Sequence, residues 1–254
     1  MSERNFYNAK QDREEHHLNK YTKQKLQLLN QWIRRDPPGV ILDVGCGNGT
    51  LTNNLVTDHS ALYGLDFSLS SLQQLNMSAI CGDITRLPIR QGSVDLIICS
   101  EVLEHLDDIT LYQAITQLQS LGAPSLIITV PNRETLGKNS IKCHQCGRIY
   151  SVSHHFQRFT PEKLIDLFSD YTAEEVQTCG RPVRPYIEYL LKIRQTIGNR
   201  WTYYRKPRYT RCPYCQTDRT AHYEANIISL LTDTLNALLT KKQPYWLCVR
   251  FNRK

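Results

Sequence analysis

The stretch Val40-Ile41-Leu42-Asp43-Val44-Gly45-Cys46-Gly47-Asn48-Gly49-Thr50 decides the fold. Its apolar first half predicts a buried strand, and the three alternating glycines predict a tight turn that leads into a helix. Glycine lets the backbone approach a ligand closely, and the start of a helix offers N–H groups that have no partner within the helix. The stretch therefore predicts a nucleotide-like ligand beyond the end of a strand.

Three acidic residues that end predicted strands indicate which nucleotide binds. Asp43 lies two residues before the first glycine, where it would repel a pyrophosphate but suits a ligand with an ammonium group and a sulfonium. Asp66 ends the run Leu62-Tyr63-Gly64-Leu65-Asp66, in a place where an acid can take both hydroxyls of a ribose. Asp83 ends a third run and suits an adenine amino group. Each acid alone is equally well explained as a helix N-cap, but three in order at βα spacing favour S-adenosylmethionine (SAM).

On these motifs the chain resembles the class I SAM-dependent methyltransferases, in particular the families called methyltransferase type 11 and type 23. The resemblance is specific over residues 38–170 and looser over residues 243–252. It implies an α/β fold with a Rossmann-like, doubly wound, seven-stranded and mostly parallel sheet whose last strand is antiparallel. It also implies binding roles at matching positions: the methionine end of SAM at Asp43, Gly45, Gly47, Ser100 and Glu101, the ribose at Asp66, and the adenine at Asp83 and the backbone of Ile84.

Hydrophobic periodicity agrees with this fold. The expected strands lie near residues 40–45, 61–66, 78–82, 94–100 and 124–130, then at Ala173–Thr178 and Pro244–Asn252. The apolar spacing predicts helices at Tyr21–Arg35, Glu162–Phe168 and Ile227–Leu239, and the last is expected to cover an insertion. Alternating strands and helices predict a parallel sheet covered on both faces, with ligands beyond the carboxyl ends of its strands.

Length and charge bound the organisation of the chain. Its 254 residues suffice for an N-terminal arm and helix at residues 1–36 and one methyltransferase domain at residues 37–254. The polar residues 2–19 predict either an arm that closes over the cofactor or a frayed terminus. A net charge of +7 permits an anionic substrate without requiring one. No apolar run approaches the roughly 20 residues of a membrane span and no signal-peptide core is evident, so we expect a cytoplasmic protein; the oligomeric state stays open.

Four of the nine cysteines form two matched turns, Cys143-His144-Gln145-Cys146 and Cys212-Pro213-Tyr214-Cys215, about 65 residues apart. Four thiolates suit one structural zinc ion, and redox-active dithiols are the alternative. We expect the zinc to stabilise insertions at residues 137–158 and 180–242 as a cap over the acceptor site. Of the other cysteines, Cys46 is expected to be a small filler of the glycine turn. Buried, inert thiols are expected at Cys81, Cys99 and Cys248.

The segment Ser100-Glu101-Val102-Leu103-Glu104-His105 follows the fourth strand. If a helical turn begins there, Glu101, Glu104 and His105 share one face at the cleft mouth, although an acid that complements the helix dipole and a capping histidine are the structural alternative. The run from His154-His155 to Phe159-Thr160-Pro161-Glu162 adds further imidazoles. Together the two segments resemble the metal site of small-RNA 3′-terminal 2′-O-methyltransferases, and they also resemble O-methyltransferases of ubiquinone biosynthesis. In this chain a cysteine loop lies between the segment with the glutamates and the segment with the two histidines.

This group of side chains predicts that Glu101, Glu104, His105 and His155 act in catalysis. They would serve either as ligands of Mg²⁺ or Mn²⁺ near the acceptor or as general bases. The expected reaction is O-methylation of a small molecule or glycan precursor, because no amine-reading aromatic motif accompanies the cluster.

Two other functions compete with this interpretation. An aromatic and basic run between Tyr186 and Arg211, which includes Tyr203, Tyr204, Arg205 and Lys206, suits an RNA-modifying 2′-O-methyltransferase. A solvated insertion whose tyrosines pack around the zinc explains the same run equally well. A non-catalytic SAM-fold module that binds nucleic acid is the third hypothesis, and the intact SAM motif disfavours it.

Overall fold

The structure is a computed structural model that describes residues 18–56, 58, 60–201, 208–221 and 225–254. Residues 2–17 of the predicted arm at residues 2–19, and the residues Tyr203, Tyr204, Arg205 and Lys206, lie outside these residues. The chain divides into two compact units, which are treated separately. The sheet unit comprises the described residues up to 132 together with 159–181 and 244–254, and the insert unit comprises the described residues of 133–158 and 182–243.

The regular elements alternate much as the periodicity predicts, although β8 is longer than expected. The strands are β1 Val40–Val44, β2 Ala61–Asp66, β3 Ser78–Cys81, β4 Leu96–Ser100, β5 Ser125–Pro131, β6 Ser140–Lys142, β7 Ile149–Ser151, β8 Tyr171–Val183, β9 Arg208–Arg211, β10 Asp218–Ala221 and β11 Gln243–Arg253. The helices are α1 Lys20–Arg35, α2 Leu69–Leu72, α3 Asp108–Ser120, α4 Pro161–Leu167, α5 Glu188–Thr196 and α6 Ile227–Leu239.

A seven-stranded sheet with the order β3-β2-β1-β4-β5-β11-β8 forms the core of the sheet unit. The first five strands in this order pair in parallel, and β11 pairs antiparallel with β5, from Trp246 opposite Pro131 to Asn252 opposite Ser125. The predicted Rossmann-like sheet is therefore confirmed. From β1 the chain winds outward through β2 and β3, then returns to β4 on the other side of β1. The switch point, where such sheets bind ligands, thus lies at the carboxyl ends of β1 and β4.

Both faces of the sheet are covered because successive side chains of a strand point to opposite faces. Leu42, Ile97 and Cys99 join one buried cluster, whereas Ile41, Ile98 and Cys248 join the other beneath α1. The prediction of buried thiols holds for Cys99 and Cys248 and is wrong for Cys81. Cys81 is exposed because β3 is the outermost strand of the sheet.

Specific polar contacts fix helix α1 on the sheet. At its start Asn19 Oδ1 accepts hydrogen bonds from the amides of Tyr21 and Thr22, which satisfies two N–H groups that the helix cannot. At its end the Arg250 guanidinium of β11 donates to the Trp32 carbonyl at 2.8 Å and to Asp36 at 2.5 Å. With both ends held, the buried face of α1 presents Lys25 toward the end of β4.

The insert unit is built from two hairpins of strands, β6–β7 and β9–β10, and from the helix pair α5 and α6. Helix α6 has the predicted bounds and packs on α5 within the insert unit, but it does so through polar side chains. The residues that α6 buries are Ser229, Thr232 and Asn236, and its large apolar side chains are exposed. No helix among the described residues of either unit is long and apolar enough to cross a membrane.

Candidate active site

The glycine turn follows β1 directly, and its backbone requires glycine. Gly45, Gly47 and Gly49 have φ of 77°, 55° and 79°, in the left-handed region that favours glycine. A Cβ atom on Gly45 would overlap Cγ2 of Val102, so no side chain fits there. The predicted helix after the turn is only a short 3₁₀ turn at Thr52–Asn54, because Asn48 Oδ1 draws the amide and hydroxyl of Thr50 into a local turn.

Asp43 is buried at the carboxyl end of β1, and Thr52 Oγ1 donates to its carboxylate at 2.6 Å. Burial raises the pKa of Asp43 to about 6; Thr52 and the charge of Lys25 lower it, and Asp66 raises it further. The motif identifies Asp43 from the sequence, whereas Thr52 had no sequence signal. Asp43 is thus a buried acid at the switch point, and its charge depends on pH near neutrality.

Asp66 ties the glycine turn to the end of β2. Its Oδ2 accepts from the Gly47 amide at 2.9 Å, and its Oδ1 accepts from the Ser68 amide at 2.8 Å. Burial raises the pKa of Asp66, and the backbone N–H groups partly oppose that change. A carboxylate has about four acceptor directions, so two such contacts leave capacity for the hydroxyls of a ribose.

Asp83 is exposed after β3, and its Oδ1 accepts from both the amide and the hydroxyl of Thr85 at 2.8 Å. This is a local turn contact and not the helix N-cap that the sequence leaves open for any single acid. Ile84 packs partly buried against the larger core cluster. The roles of Asp83 and Ile84 toward adenine stay predictions.

Lys25 is a site residue that the sequence analysis missed. Its ammonium lies 3.1 Å from Ser100 Oγ, 3.7 Å from Glu101 Oε1 and 4.3 Å from the centre of a Trp246 ring, and the residue is only 4% exposed. Ser100 Oγ in turn lies 2.7 Å from Thr129 Oγ1. The only sequence signal for Lys25 was its position on the apolar stripe of α1, three and four residues before Leu28 and Leu29.

The helical turn expected at Glu101 begins two residues later, as a 3₁₀ turn at Leu103–His105. Glu101 itself has a φ of 59°, and its amide donates to the Thr129 carbonyl at 2.9 Å, which prolongs the pairing of β4 with β5. The spacing at i, i+3 and i+4 therefore does not place Glu101 with the other two residues, whereas the ligand atoms of Glu104 and His105 lie within 4.8 Å of each other. Glu101 is directed to Lys25 and Thr129, Glu104 is fully buried, and His105 is half-buried.

His155 belongs to the insert unit, where it pairs with Glu134. Its Nδ1 lies 2.5 Å from Glu134 Oε2, and Asn139 donates to the other carboxylate oxygen at 2.8 Å. The side chains of His155 and Glu134 are 9% and 10% exposed. A carboxylate that accepts from Nδ1 places the lone pair of a neutral imidazole on Nε2, the form that a base or a metal ligand needs. Glu134 was missed because only the fold brings it to His155.

The four predicted zinc ligands meet within the insert unit. The sulfur atoms of Cys143, Cys146, Cys212 and Cys215 all lie within 4.8 Å of one another. Cys143 Sγ is 3.6 Å from Cys215 Sγ, and Cys146 Sγ is 3.7 Å from Cys212 Sγ. Tetrahedral zinc with Zn–S bonds of about 2.3 Å requires sulfur separations of about 3.8 Å. The donor set and its spacing therefore fit zinc.

The two cysteine turns have the same backbone geometry. Gly147 and Gln216, each directly after the second cysteine, have φ of 70° and 61°. Their amides donate to the carbonyls of Cys143 and Cys212 at 3.0 Å in both turns. Backbone N–H groups of Gln145 and Cys146 donate to the Cys143 sulfur and lower its pKa, an arrangement that favours thiolate.

Comparisons with known proteins find that part of this chain is similar to methyltransferases. A model described as a methyltransferase domain matches residues 42–119. An uncharacterized protein of Methanocaldococcus jannaschii is 32% identical over 121 residues, 46% of this chain and 52% of that protein. A ubiquinone biosynthesis O-methyltransferase of Coxiella burnetii is 34% identical over 98 residues, 35% of this chain and 38% of the enzyme. A small RNA 2′-O-methyltransferase of Arabidopsis thaliana is 28% identical over 133 residues, 44% of this chain and 14% of the enzyme. The chain thus spans about half or less of these relatives.

A solved structure is similar over nearly the whole chain. The magnesium protoporphyrin IX methyltransferase of Synechocystis, crystallised with bound SAM, superposes with a TM-score of 0.54 and 14% identity. The match covers 99% of this chain and 95% of the other. At this identity the likeness concerns the fold alone.

Proposed function

We propose that the chain is a class I SAM-dependent methyltransferase and that it transfers the SAM methyl group to a hydroxyl of a small molecule or glycan precursor. The observation that supports this proposal is that Asp43, the glycine turn and Asp66 lie together at the switch point. In the reaction the bond from the sulfonium to the methyl group breaks as a bond to the acceptor oxygen forms, and a base takes the hydroxyl proton. In-line positioning and exclusion of water supply much of the rate.

The methionine end of SAM carries both an ammonium and a carboxylate, and the site offers charges for each. We assign the ammonium to Asp43 and Glu101, and the carboxylate to Lys25, whose buried ammonium lies beside Ser100 and Glu101. The buried Lys25 ammonium, the buried Asp43 and the half-buried Glu101 together favour a zwitterion over a pyrophosphate. This charge pattern supports SAM over a dinucleotide.

Two substitutions test the SAM site. Asp66→Ala should weaken SAM binding by about 1–3 kcal/mol, because the ribose hydroxyls lose a charged acceptor. Lys25→Met should weaken it to a similar degree, because the methionine carboxylate loses its counter-charge. Calorimetric titration of SAM into each variant measures both effects.

The matched controls are Lys23→Met and Asp166→Ala, which change exposed residues of α1 and α4. Both should bind SAM as the unchanged protein does. Unaltered SAM affinity in Asp66→Ala, or a preference of the unchanged protein for NAD, would refute the assignment.

A pH dependence follows from the pKa of Asp43, which lies at about 6. Below that pH the carboxyl becomes neutral and no longer attracts the ammonium of SAM, so affinity should fall by up to about tenfold per pH unit. Stability responds with the opposite sign. The folded state takes up this proton more readily than the unfolded chain, so the Asp43 contribution to the free energy of unfolding decreases as pH rises from about 4 to 6.

Asp43→Asn should remove both trends. Its SAM affinity should be low and independent of pH between 5 and 8, and its free energy of unfolding should lose the Asp43 contribution to the pH slope. Calorimetry and urea unfolding across that range provide the measurements. An affinity in the unchanged protein that is flat through pH 6 would contradict the role of Asp43.

We further propose that the four cysteines of the insert unit hold structural zinc. A site closed by four thiolates leaves no position for a reactant, which supports a structural role over a catalytic one. The zinc would join the two strand hairpins, whose contact is otherwise a small cluster that includes Ile141, Tyr150 and Cys212. The predicted action of the insertions as a cap over the acceptor site stays a prediction.

One observation favours RNA as a second candidate acceptor. Residues 133–158 and 182–243 contain 16 Lys and Arg against 5 Asp and Glu, a net charge of +11, whereas the other residues contain 15 against 19, a net charge of −4. A segregated positive charge attracts phosphates. Filter binding of tRNA and short RNA across a salt series tests this. Steep salt dependence and SAM-dependent RNA methylation would favour RNA over a small molecule.

A further inference from the structure

Helix α6 has its polarity reversed relative to an ordinary surface helix. Six large apolar side chains are between 44% and 78% exposed: Ile227, Leu230, Leu231, Leu235, Leu238 and Leu239. The buried side chains of the same helix are Ser229, Thr232 and Asn236. A contiguous apolar stripe of this size on an exposed helix marks an interaction surface.

Polar contacts hold the helix in this orientation. Asp233 accepts from the Tyr186 hydroxyl at 2.6 Å and from Arg194 Nε at 3.1 Å. Asn236 accepts from the Ile187 amide at 2.9 Å and donates to the Pro185 carbonyl at 3.1 Å. Rotating α6 to bury its leucines would break these buried contacts and leave the guanidinium of Arg194, which is fully buried, without its acid. The apolar face is therefore held outward by the fold itself.

Positive charge accompanies the apolar face. Lys241 and Lys242 follow α6 and are exposed, and Arg184 donates to the Ala237 carbonyl in the last turn of the helix. The insert unit as a whole carries the net charge of +11. Pairing of two such units through this face would bring like charges together, which disfavours a second copy of the chain. An anionic and apolar partner complements both properties.

We propose that the exposed face of α6 docks on an anionic lipid surface. Its leucines and isoleucine would enter the boundary between headgroups and acyl chains, and Lys241 and Lys242 would contact the lipid headgroups. Apolar burial and attraction to anionic lipid together determine binding of this type. The helix lies on the membrane and does not cross it, because 13 residues are too few. This inference does not depend on which acceptor is methylated.

Vesicle sedimentation tests the proposal with the whole chain of 254 residues. One set of vesicles contains phosphatidylcholine alone, and another contains about one-third phosphatidylserine. The unchanged protein should bind the anionic vesicles, and less so at high salt. Leu231→Gln with Leu238→Gln should reduce binding at least tenfold, because both side chains lie on the exposed stripe. Lys241→Gln with Lys242→Gln should reduce binding to anionic vesicles several-fold.

The matched control is Ile109→Gln with Tyr112→Gln on α3, where both side chains are also exposed. It should bind vesicles as the unchanged protein does, and SAM affinity in every variant should confirm folding. Failure of the unchanged protein to bind anionic vesicles would overturn the proposal. So would a dimer in light scattering that the Leu231 and Leu238 substitutions abolish, because a second copy would then cover this face.

Discussion

Cys212→Ser should remove the zinc ion and destabilise the insert unit together. The Cys212 sulfur is fully buried and lies 3.7 Å from Cys146 Sγ, so serine cannot complete the tetrahedron of thiolates. Metal binding and folding are coupled in small zinc sites, with apparent binding free energies of about 10–16 kcal/mol. We therefore expect about one zinc per chain in the unchanged protein and almost none in the variant. Elemental analysis and limited proteolysis of the insertions measure the two effects.

The control for this change is Cys81→Ser, which removes an exposed cysteine of β3 outside the cluster. It should keep zinc and protease resistance. The redox-dithiol alternative gives a different result, since the chain would then lack zinc when freshly purified and its mass would fall on mild oxidation. Absence of zinc from protein purified without chelators would reject the structural metal.

The parts of the site that the sequence predicts are those encoded by local spacing. The glycine turn, Asp43, Asp66 and the two Cys-x-x-Cys turns each lie within a few residues of the feature that identifies them. Even where two turns are far apart, as with the cysteines, the repetition of one motif gives the connection. Local pattern therefore located the SAM motif and the cysteine cluster.

The missed contacts join residues that are distant in sequence. Lys25 lies against Ser100 and Glu101, and Glu134 pairs with His155 across the cysteine loop. No spacing rule identifies such partners. A lysine on a buried helix face was the only available signal, and it shows no more than that a counter-charge exists.

Two features that the sequence does not predict have the same physical origin. Periodicity correctly predicted a helix at α6, but it does not show that the helix packs through polar side chains, because the partners of Asp233 and Asn236 lie about 40 to 50 residues earlier. At Glu101 the helical interpretation failed because the β4–β5 pairing continues through the Thr129 carbonyl. In both places tertiary hydrogen bonds override a local pattern.

His155→Ala is expected to lower the methyl-transfer rate by about 10² or more, the usual contribution of a positioned base. The expectation rests on the sequence pattern and on the Glu134 contact, which holds the ring in the tautomer that accepts a proton at Nε2. SAM affinity and zinc content should not change, since His155 is neither a motif residue nor one of the four cysteines. A single-turnover assay with an accepted hydroxyl substrate separates the rate from binding.

Glu134→Gln tests whether the carboxylate acts through the imidazole. Without a carboxylate to accept from Nδ1, the ring is no longer held in the tautomer that accepts a proton at Nε2, so the methyl-transfer rate should fall while SAM affinity stays unchanged. Glu188→Gln is the matched control, because Glu188 pairs with Arg158 at the surface of the same unit and its side chain is 74% exposed. The control should leave both the rate and SAM affinity unchanged.

The response to chelation then distinguishes a base from a metal among the residues that the sequence predicts to be catalytic, Glu101, Glu104, His105 and His155. If these residues bind Mg²⁺ or Mn²⁺, EDTA should abolish methyl transfer while SAM binding persists, and either ion should restore activity. If His155 acts as a general base, EDTA should leave the initial rate intact, and His155→Ala should lose activity whether or not a divalent ion is added. Because EDTA can also remove zinc, zinc content is measured in the same samples, and only activity lost at constant zinc counts for a catalytic cation. Full activity of His155→Ala with an unaltered pH profile would exclude His155 from the chemistry and leave positioning as the source of the rate.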